Sequence, residues 1–163
     1  MIPTLIKTSA RLGAFPIING HLDWIPSDVA ARAIHDILTS ECADIYSVYN
    51  ITNPRRVPWS QLVLMLQNSK VLAPTVKKVS MSEWVLELDK AATQAPEGTP
   101  FPGLQLLPFF EVVALDDWQY RIFTTEKAVG VSNALRTCPK FHEGWMNLSV
   151  QGWRQNGFLQ KVT

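Results

Sequence analysis

The chain has 163 residues and a formal net charge of +1 at neutral pH, from 15 Lys and Arg against 14 Asp and Glu. This balance argues against a protein that binds nucleic acid electrostatically, which would carry a basic surface and a high pI. Charged residues make up 18% and apolar residues 47% of the chain, which excludes intrinsic disorder and predicts a single domain over residues 1–163.

The sequence carries no signal for secretion or for a membrane. Cys42 and Cys138 are too few and too far apart for a zinc site or a disulfide framework, so we expect reduced thiols and a cytoplasmic protein. Lys7 and Arg11 interrupt the apolar N-terminus, unlike in a signal peptide. The longest apolar stretch, 104–115, is too short to cross a bilayer. We therefore expect no membrane partner.

The first elements are a helix and a short extended run. Apolar spacing predicts a helix over residues 2–13, with Gly13 as its stop. Residues 15–18 are predicted to be extended and to end at a turn over 19–20.

A second helix is predicted to follow Pro26 and to end near Glu41. Ser27 or Asp28 is expected to cap it by accepting bonds from its free N–H groups. Helical spacing gives it one apolar face and one polar face. The apolar face comprises Ala30, Ile34, Ile37 and Leu38, and the residues predicted to point away are Arg32 and Asp36.

A β-strand is predicted over residues 45–51, because this segment is rich in β-branched and aromatic residues. The Asn-Pro pair at 53–54 ends it. Pro58 is expected to open a helix over 59–69, since the first turn of a helix tolerates proline. A second short strand is predicted over 76–79.

The middle of the chain contains a helix start, a loop and an apolar helix. Ser80 and Glu83 have the spacing of a capping box. Residues 94–103 hold three prolines and two glycines and are predicted to form a loop. Residues 104–115 are predicted to be helical, with Pro108 either kinking this helix or starting a shorter one.

Two further helices are predicted in the last 40 residues. One begins at 124–126 and runs towards Arg136, and the last runs from Pro139 to Gly157. The stripe predicted to be buried on the last helix comprises Phe141, Trp145, Leu148 and Gly152. The predicted fold class is therefore α+β, mainly helical with a small sheet.

Several short motifs occur in order along nearly the whole chain. They are Asp23-Trp24-Ile25-Pro26, Tyr49-Asn50 with Asn53-Pro54 and Pro58-Trp59, Ser80 with Glu83-Trp84, Leu106-Leu107 with Phe109, Phe123-Thr124-Thr125, and Trp153 with Gly157-Phe158-Leu159. In this order they resemble the C-terminal, substrate-binding lobe of thioester reductase domains. Such domains end fungal carboxylic acid reductases and enzymes that are similar to non-ribosomal peptide synthetases.

The resemblance implies an extended short-chain dehydrogenase, whose N-terminal half is a Rossmann domain that binds NADPH. That half requires a glycine-rich phosphate loop and a Tyr-x-x-x-Lys pair. The eight glycines here form no such cluster, and no tyrosine has a lysine four positions on. We therefore expect a stand-alone lobe without the Rossmann half, with no cofactor and no metal.

Three functions fit such a lobe. The first is a cofactor-independent cyclase or isomerase of fungal secondary metabolism, of the cycloaddition type. It would hold a polyene or polyketide-type substrate in a reactive conformation and stabilise charge on a carbonyl. The second is the substrate lobe of an NADPH-dependent thioester reductase. The third is a non-catalytic binding module, with a carrier protein as a candidate partner.

The candidate catalytic residues are His21 and Asp117. His21 can donate to a carbonyl or move a proton, and Asp117 is one of two adjacent carboxylates. The alternative for each is a solvated turn or loop residue. The candidate substrate-binding residues are aromatic residues near loops or on the predicted strand: Trp24, Tyr49, Trp59, Trp118 and Tyr120.

Other polar residues have simpler interpretations. Arg55 and Arg56 either bind the phosphate of a carrier or belong to a solvated basic turn. His35 is expected at the surface, and His142 in a partly buried structural role. Neither histidine is predicted to be catalytic.

A homodimer is also expected. The resemblance implies that the strand over 45–51 joins the sheet of the other half in a complete reductase. Without that sheet, the strand has unpaired edges and an uncovered apolar face. Pairing of equivalent surfaces in a two-fold dimer would cover both. The expected partners are thus a small-molecule substrate and a second copy of the chain.

Overall fold

The computed structural model describes residues 1–95, 101–115 and 122–159. In chain order the elements are α1 (Ile2–Leu12), β1 (Ala14–Pro16), β2 (His21–Leu22), α2 (Ser27–Thr39), β3 (Val57–Pro58), α3 (Ser60–Asn68), β4 (Lys77–Val79), α4 (Met81–Gln94), a 3₁₀ turn (Pro102–Leu106), α5 (Leu107–Ala114), α6 (Glu126–Val131), α7 (Asn133–Thr137) and α8 (Glu143–Gln155). The predicted fold class, mainly helical with little sheet, is confirmed.

The chain divides into two compact units. The first comprises residues 1–19, 59–119 and 146–163, and the second comprises 20–58 and 120–145. Each unit holds one pair of short strands: β1 pairs in parallel with β4, and β2 pairs antiparallel with β3.

The start of the first unit follows the local sequence signals. Helix α1 ends at Gly13, whose φ of 66° is the left-handed conformation that glycine adopts at low cost. The backbone then enters β1, and Phe15 lies opposite Lys78 of β4. The predicted first helix, the extended run and the short strand over 76–79 are confirmed.

Trp84 lies at the centre of the first unit and is fully buried. Its Nε1 donates to the Ser9 hydroxyl at 3.0 Å and to the carbonyl of Ala14 at 3.2 Å. Its ring meets Phe110 of α5 edge to face at 5.1 Å. Helix α4 starts at the predicted capping box, in which Glu83 N–H donates to Ser80 Oγ and Ser80 N–H donates to the Glu83 carboxylate.

The apolar stretch over 104–115 is not one helix. A 3₁₀ turn ends at Leu106 and α5 begins at Leu107, so Pro108 lies in the first turn. The alternative in which Pro108 starts a shorter helix is therefore correct. Gly103 in the 3₁₀ turn lies so close to α1 that a Cβ there would be 2.9 Å from Thr8 Oγ1.

In the second unit, helix α2 buries a different face from the predicted one. Val29 and Ala33 are its buried residues, whereas Ile34 is 48% and Leu38 79% exposed. Ala33 packs in a cluster with Ala128 of α6 and Leu135 of α7. The small alanines bring these helices close to α2, which spacing along one helix does not reveal.

The predicted cap of α2 is also wrong. Pro26 is the N-cap residue and makes no side-chain bond to the helix. The Asp28 carboxylate instead accepts a hydrogen bond from Arg32, one turn later, at 2.8 Å. The Asp28 side chain thus forms an ion pair on the surface of the helix and does not cap the N–H groups at its start.

The predicted strand over 45–51 is wrong. Its backbone is turn and coil. The Asp44 carboxylate accepts bonds from the Tyr46 N–H at 2.9 Å and from the Ser47 hydroxyl at 2.7 Å, and the Ser47 N–H donates to the Asp44 carbonyl. These local bonds form a turn, and in the described part of the chain no strand pairs with this segment.

The C-terminal helices begin and end at other residues than predicted. The helix from 124 towards Arg136 is split into α6 and α7 at Ser132, whose hydroxyl caps α7 by accepting from Leu135 N–H. Helix α8 begins at Glu143 rather than Pro139, and Gly157, with φ 70°, follows its end.

The buried stripe of α8 also differs from the prediction. Met146 and Val150 are buried, whereas Leu148 is exposed. His142 is exposed rather than partly buried, and its Nδ1 accepts from the Gly144 N–H. No helix in the described part of the chain is long and apolar enough to cross a membrane.

Candidate functional site

The candidate site residues fall into different environments. His21 is half-buried on β2, opposite Pro58 of β3. Trp24, also half-buried, meets Phe141 edge to face at 5.2 Å. Both belong to the second unit. Asp117, Trp118 and Tyr120 lie outside the described residues.

Tyr49 and Trp59 both have their polar atoms bonded within the protein. The Tyr49 hydroxyl accepts from Asp44 N–H at 2.7 Å, and its ring packs against the core of the second unit. Trp59 belongs to the first unit, where it is 4% exposed and donates from Nε1 to the Pro16 carbonyl at 2.9 Å. Trp59 therefore lies in a core rather than at a surface. Contact of these residues with a substrate stays a prediction.

The side chain of Asn53 in the second unit makes three hydrogen bonds. It is fully buried, and its Nδ2 donates to the carbonyls of Trp24 at 3.2 Å and Pro139 at 2.9 Å. Its Oδ1 accepts from the Arg55 N–H at 2.9 Å. Asn53 thus ties together three loops that are distant in sequence.

Arg55 and Arg56 also bond to the protein itself. The Arg55 guanidinium donates to the carbonyls of Cys138 and Arg136. The Arg56 guanidinium donates to the carbonyl of Phe123 at 2.7 Å. Both side chains thus bind backbone carbonyls, and Arg55 is also exposed to solvent. Binding of a carrier phosphate by this pair stays a prediction.

A cleft of about 240 Å³ lies in the second unit, between α2 and the segment that runs through α7 to Pro139. Asn53 and Arg55 hold one of its walls, because they bond the carbonyls of Pro139 and Cys138. Polar groups and apolar groups share the lining. The lining residues are Val29, Arg32, Asp36, Asn133, Ala134, Thr137, Cys138 and Pro139.

Asp36 supplies a fixed negative charge to the cleft. Its Oδ2 accepts from the Ala134 N–H at 3.0 Å and the Ser132 hydroxyl at 2.9 Å. The backbone bond from Ala134, and then the bond from Ser132, lower the pKa of this carboxyl below its usual value. Asp36 is therefore ionised at neutral pH. The prediction that it points away from the core is wrong.

Cys138 supplies a thiol to the same cleft. It is 2% exposed, and its Sγ donates to the Pro139 carbonyl at 3.4 Å. Burial raises the pKa of this thiol. Because the thiolate is the nucleophilic form, Cys138 is unreactive at neutral pH.

None of the candidate residues His21, Trp24 or Tyr49 lines this cleft, and none of the polar groups that line it is a site residue predicted from the sequence. The reason is distance along the chain, since Asp36 meets Ser132 across 96 positions. The local pattern that could have pointed to this part of the chain is Ser132, because serine is a favoured N-cap residue at the start of a helix.

The described residues do not fit a dinucleotide. Binding of its pyrophosphate requires a glycine-rich turn between a strand and a helix. The glycines with left-handed backbone among the described residues are Gly13 and Gly157, and both follow the ends of helices. Nor do the described residues contain a group of three or more His, Cys, Asp or Glu that could hold a metal ion.

Comparison with known proteins gives a consistent set of relatives, although no family model matches the chain. Adenylate-forming reductase Nps9 of Serpula lacrymans is 31% identical over 177 residues, which cover 96% of this chain and 16% of that protein. Non-reducing polyketide synthase SAT8 of Stachybotrys chartarum is 34% identical over 109 residues, which cover 67% of this chain and 4% of that protein.

A solved structure has a similar fold. It is the terminal R domain from the myxalamid PKS-NRPS biosynthetic pathway, with a TM-score of 0.80 and 20% identity. The match covers 98% of this chain and 39% of that one. The chain thus spans well under half of the solved domain and less than a fifth of the two fungal relatives above.

Proposed function

This chain is homologous to parts of fungal adenylate-forming reductases and polyketide synthases, and it has the fold of part of a terminal thioester reductase (R) domain. We propose that it is a substrate-binding lobe. It binds an acyl thioester intermediate and holds no hydride donor itself. The observation that carries the proposal is the match to the R-domain fold over 98% of the chain.

The cleft of the second unit is the proposed binding site. Asp36 has further lone pairs with which its carboxylate can accept an N–H from a ligand. Arg32 and Asn133 offer donors at the same cleft, beside the apolar side chains of Val29 and Ala134. This combination suits a ligand in which an amide lies next to an acyl chain.

The test uses the N-acetylcysteamine thioester of benzoic acid, which carries an amide and an acyl thioester. We expect chemical-shift changes in amide NMR spectra to concentrate at residues 29–36 and 133–139. Thr137→Trp, which fills the cleft, is expected to weaken binding at least about tenfold, or 1.4 kcal/mol. His35→Trp is the matched control, because His35 is exposed on α2 and does not line the cleft.

Two results would contradict the proposal. One is an absence of binding at millimolar thioester, and the other is binding that Thr137→Trp leaves unchanged. A separate native mass spectrum with added NADPH tests whether the chain by itself binds this hydride donor. Retained NADPH would show that the chain binds a dinucleotide by some other arrangement than a glycine-rich turn.

The second candidate function is the cofactor-independent cyclase or isomerase. One observation favours it. The described glycines form no phosphate-binding turn, whereas the cleft offers hydrogen-bond donors on Arg32 and Asn133 and an ionised acceptor on Asp36. Ring closure or isomerisation leaves the mass of a substrate unchanged. Incubation with a linear polyene thioester, followed by chromatography with mass detection, would then give a new species of equal mass that Thr137→Trp abolishes.

A further inference from the structure

Besides Ile34 and Leu38 on α2, the described part of the second unit exposes five large apolar side chains on two segments outside its helices. Ile45 is 87%, Tyr46 91% and Val48 78% exposed on the first segment. Ile122 is 54% and Phe123 49% exposed on the second. We call these five residues the apolar loop patch.

Hydrogen bonds hold the two segments side by side. The Asn50 amide donates to the carbonyl of Thr124 at 3.0 Å. The Lys127 ammonium donates to the Ser47 hydroxyl at 3.2 Å. These two bonds bring residues 45–50 next to residues 122–127, so the five exposed side chains lie on neighbouring segments of the second unit.

The patch is large for a surface that stays in water. If a large side chain presents about 200 Å², the exposed fractions together amount to roughly 700 Å². The largest apolar patch on a typical monomer is about 300–600 Å². A standard interface buries about 800 Å² on each partner. The patch therefore approaches what one side of a stable dimer needs.

We propose that a second copy of this chain covers the apolar loop patch in a two-fold dimer. In such a dimer the same surface must be complementary to itself. The centre of the patch carries no charge, so two copies meet without repulsion. Charged groups of both signs border the patch, since the Asp44 carboxylate and the Lys127 ammonium bond to the hydroxyl of Ser47. The Arg56 guanidinium also borders it, because it bonds to the carbonyl of Phe123.

The composition of the patch supports pairing of this kind. Ile45, Tyr46 and Val48 have high β-propensity but form no ladder with any described strand. Aromatic residues such as Tyr46 and Phe123 are enriched in interfaces between protein chains, whereas charged residues are depleted at their centres. This inference does not rest on the proposed function, because the cleft is lined by other residues.

The test is sedimentation of the full chain from about 1 to 100 μM. A reducing agent is present throughout, because exposed Cys42 is close in sequence and could form a disulfide. We expect a species of twice the 18.3 kDa chain mass. Tyr46→Asp and Val48→Asp are each expected to weaken the dimer at least about thirtyfold, as loss of a central apolar anchor does.

Leu86→Asp is the matched control, since Leu86 is 58% exposed on α4 of the first unit. It should leave the dimer unchanged. Circular dichroism identifies any variant that has lost its fold. Hydrogen exchange of wild-type residues 44–50 then provides an independent measurement, and these amides should gain protection as concentration rises.

A wild-type chain that stays monomeric at 100 μM would overturn the proposal, and the patch would then belong to a different polypeptide. A dimer that both patch variants leave intact would also overturn it. Concentration-independent exchange over 44–50 would do the same, even if a dimer forms through another surface.

Discussion

Replacement of Asn53 by alanine tests how the cleft wall is held. The side chain is fully buried and makes three hydrogen bonds, to the carbonyls of Trp24 and Pro139 and from the N–H of Arg55. Two of these bonds reach the loops of Trp24 and Pro139, and the third closes the local turn at Arg55. Alanine removes all three and leaves the partner groups without this side chain.

The magnitude follows from the count of bonds. A typical intramolecular hydrogen bond contributes about 1 kcal/mol net, so Asn53→Ala is expected to lower the free energy of unfolding by about 3 kcal/mol. For a chain of this size, each 1 kcal/mol shifts Tm by about 2–4 °C. We therefore expect Tm to fall by about 6–12 °C.

Urea unfolding followed by circular dichroism measures this change. Hydrogen exchange is then compared between residues 20–58 and 60–95, because the loss should concentrate in the second unit. Asn156→Ala is the control, since Asn156 is exposed, and it should change the free energy of unfolding by less than about 0.5 kcal/mol. A loss below about 1 kcal/mol for Asn53→Ala would refute the reasoning that its bonds hold these loops.

Two further predictions concern the first unit. The bond from the Ser80 backbone, and then the bond from its hydroxyl, lower the pKa of Glu83. The ionised carboxylate therefore stabilises the fold at pH values above its unfolded pKa, and this stabilisation is lost as the pH falls through the folded pKa. Glu83→Gln keeps an accepting oxygen without the charge, so it should lower Tm more at pH 7 than at about pH 2.5. Equal effects at both pH values would contradict this. Gly103→Ala puts a Cβ 2.9 Å from Thr8 Oγ1, so urea unfolding should show that the free energy of unfolding falls by about 1–3 kcal/mol. The control is Gly130→Ala, which has open space around the new Cβ and should not lower the free energy of unfolding.

The identity of the relatives was predictable from the sequence. The motifs around Trp24, Asn53 and Ser80 resembled thioester reductase domains, and this resemblance is confirmed by the fungal relatives and by the R-domain structure. The structure also gives two of these residues a physical role. Asn53 joins loops, and Ser80 caps α4.

The candidate site was predicted far less well. The predicted site residues were His21, Asp117 and five aromatic residues. The cleft is instead lined by residues of α2 and of the segment from α7 to Pro139, among them Arg32, Asp36 and Asn133. Asp36 looked like a surface residue of α2, because helical spacing shows only which residues share a face. Its partner Ser132 lies on a segment that no local pattern connects to α2.

The sequence by itself determined the elements whose stabilising bonds are local. Helix α1 with its stop at Gly13, and the start of α4 at Ser80, depend on bonds between residues at most about four positions apart. Only the tertiary structure decided residues 45–51. A strand requires a partner strand, whatever its own propensity, and the described chain provides none, so Asp44 folds the segment into an exposed turn.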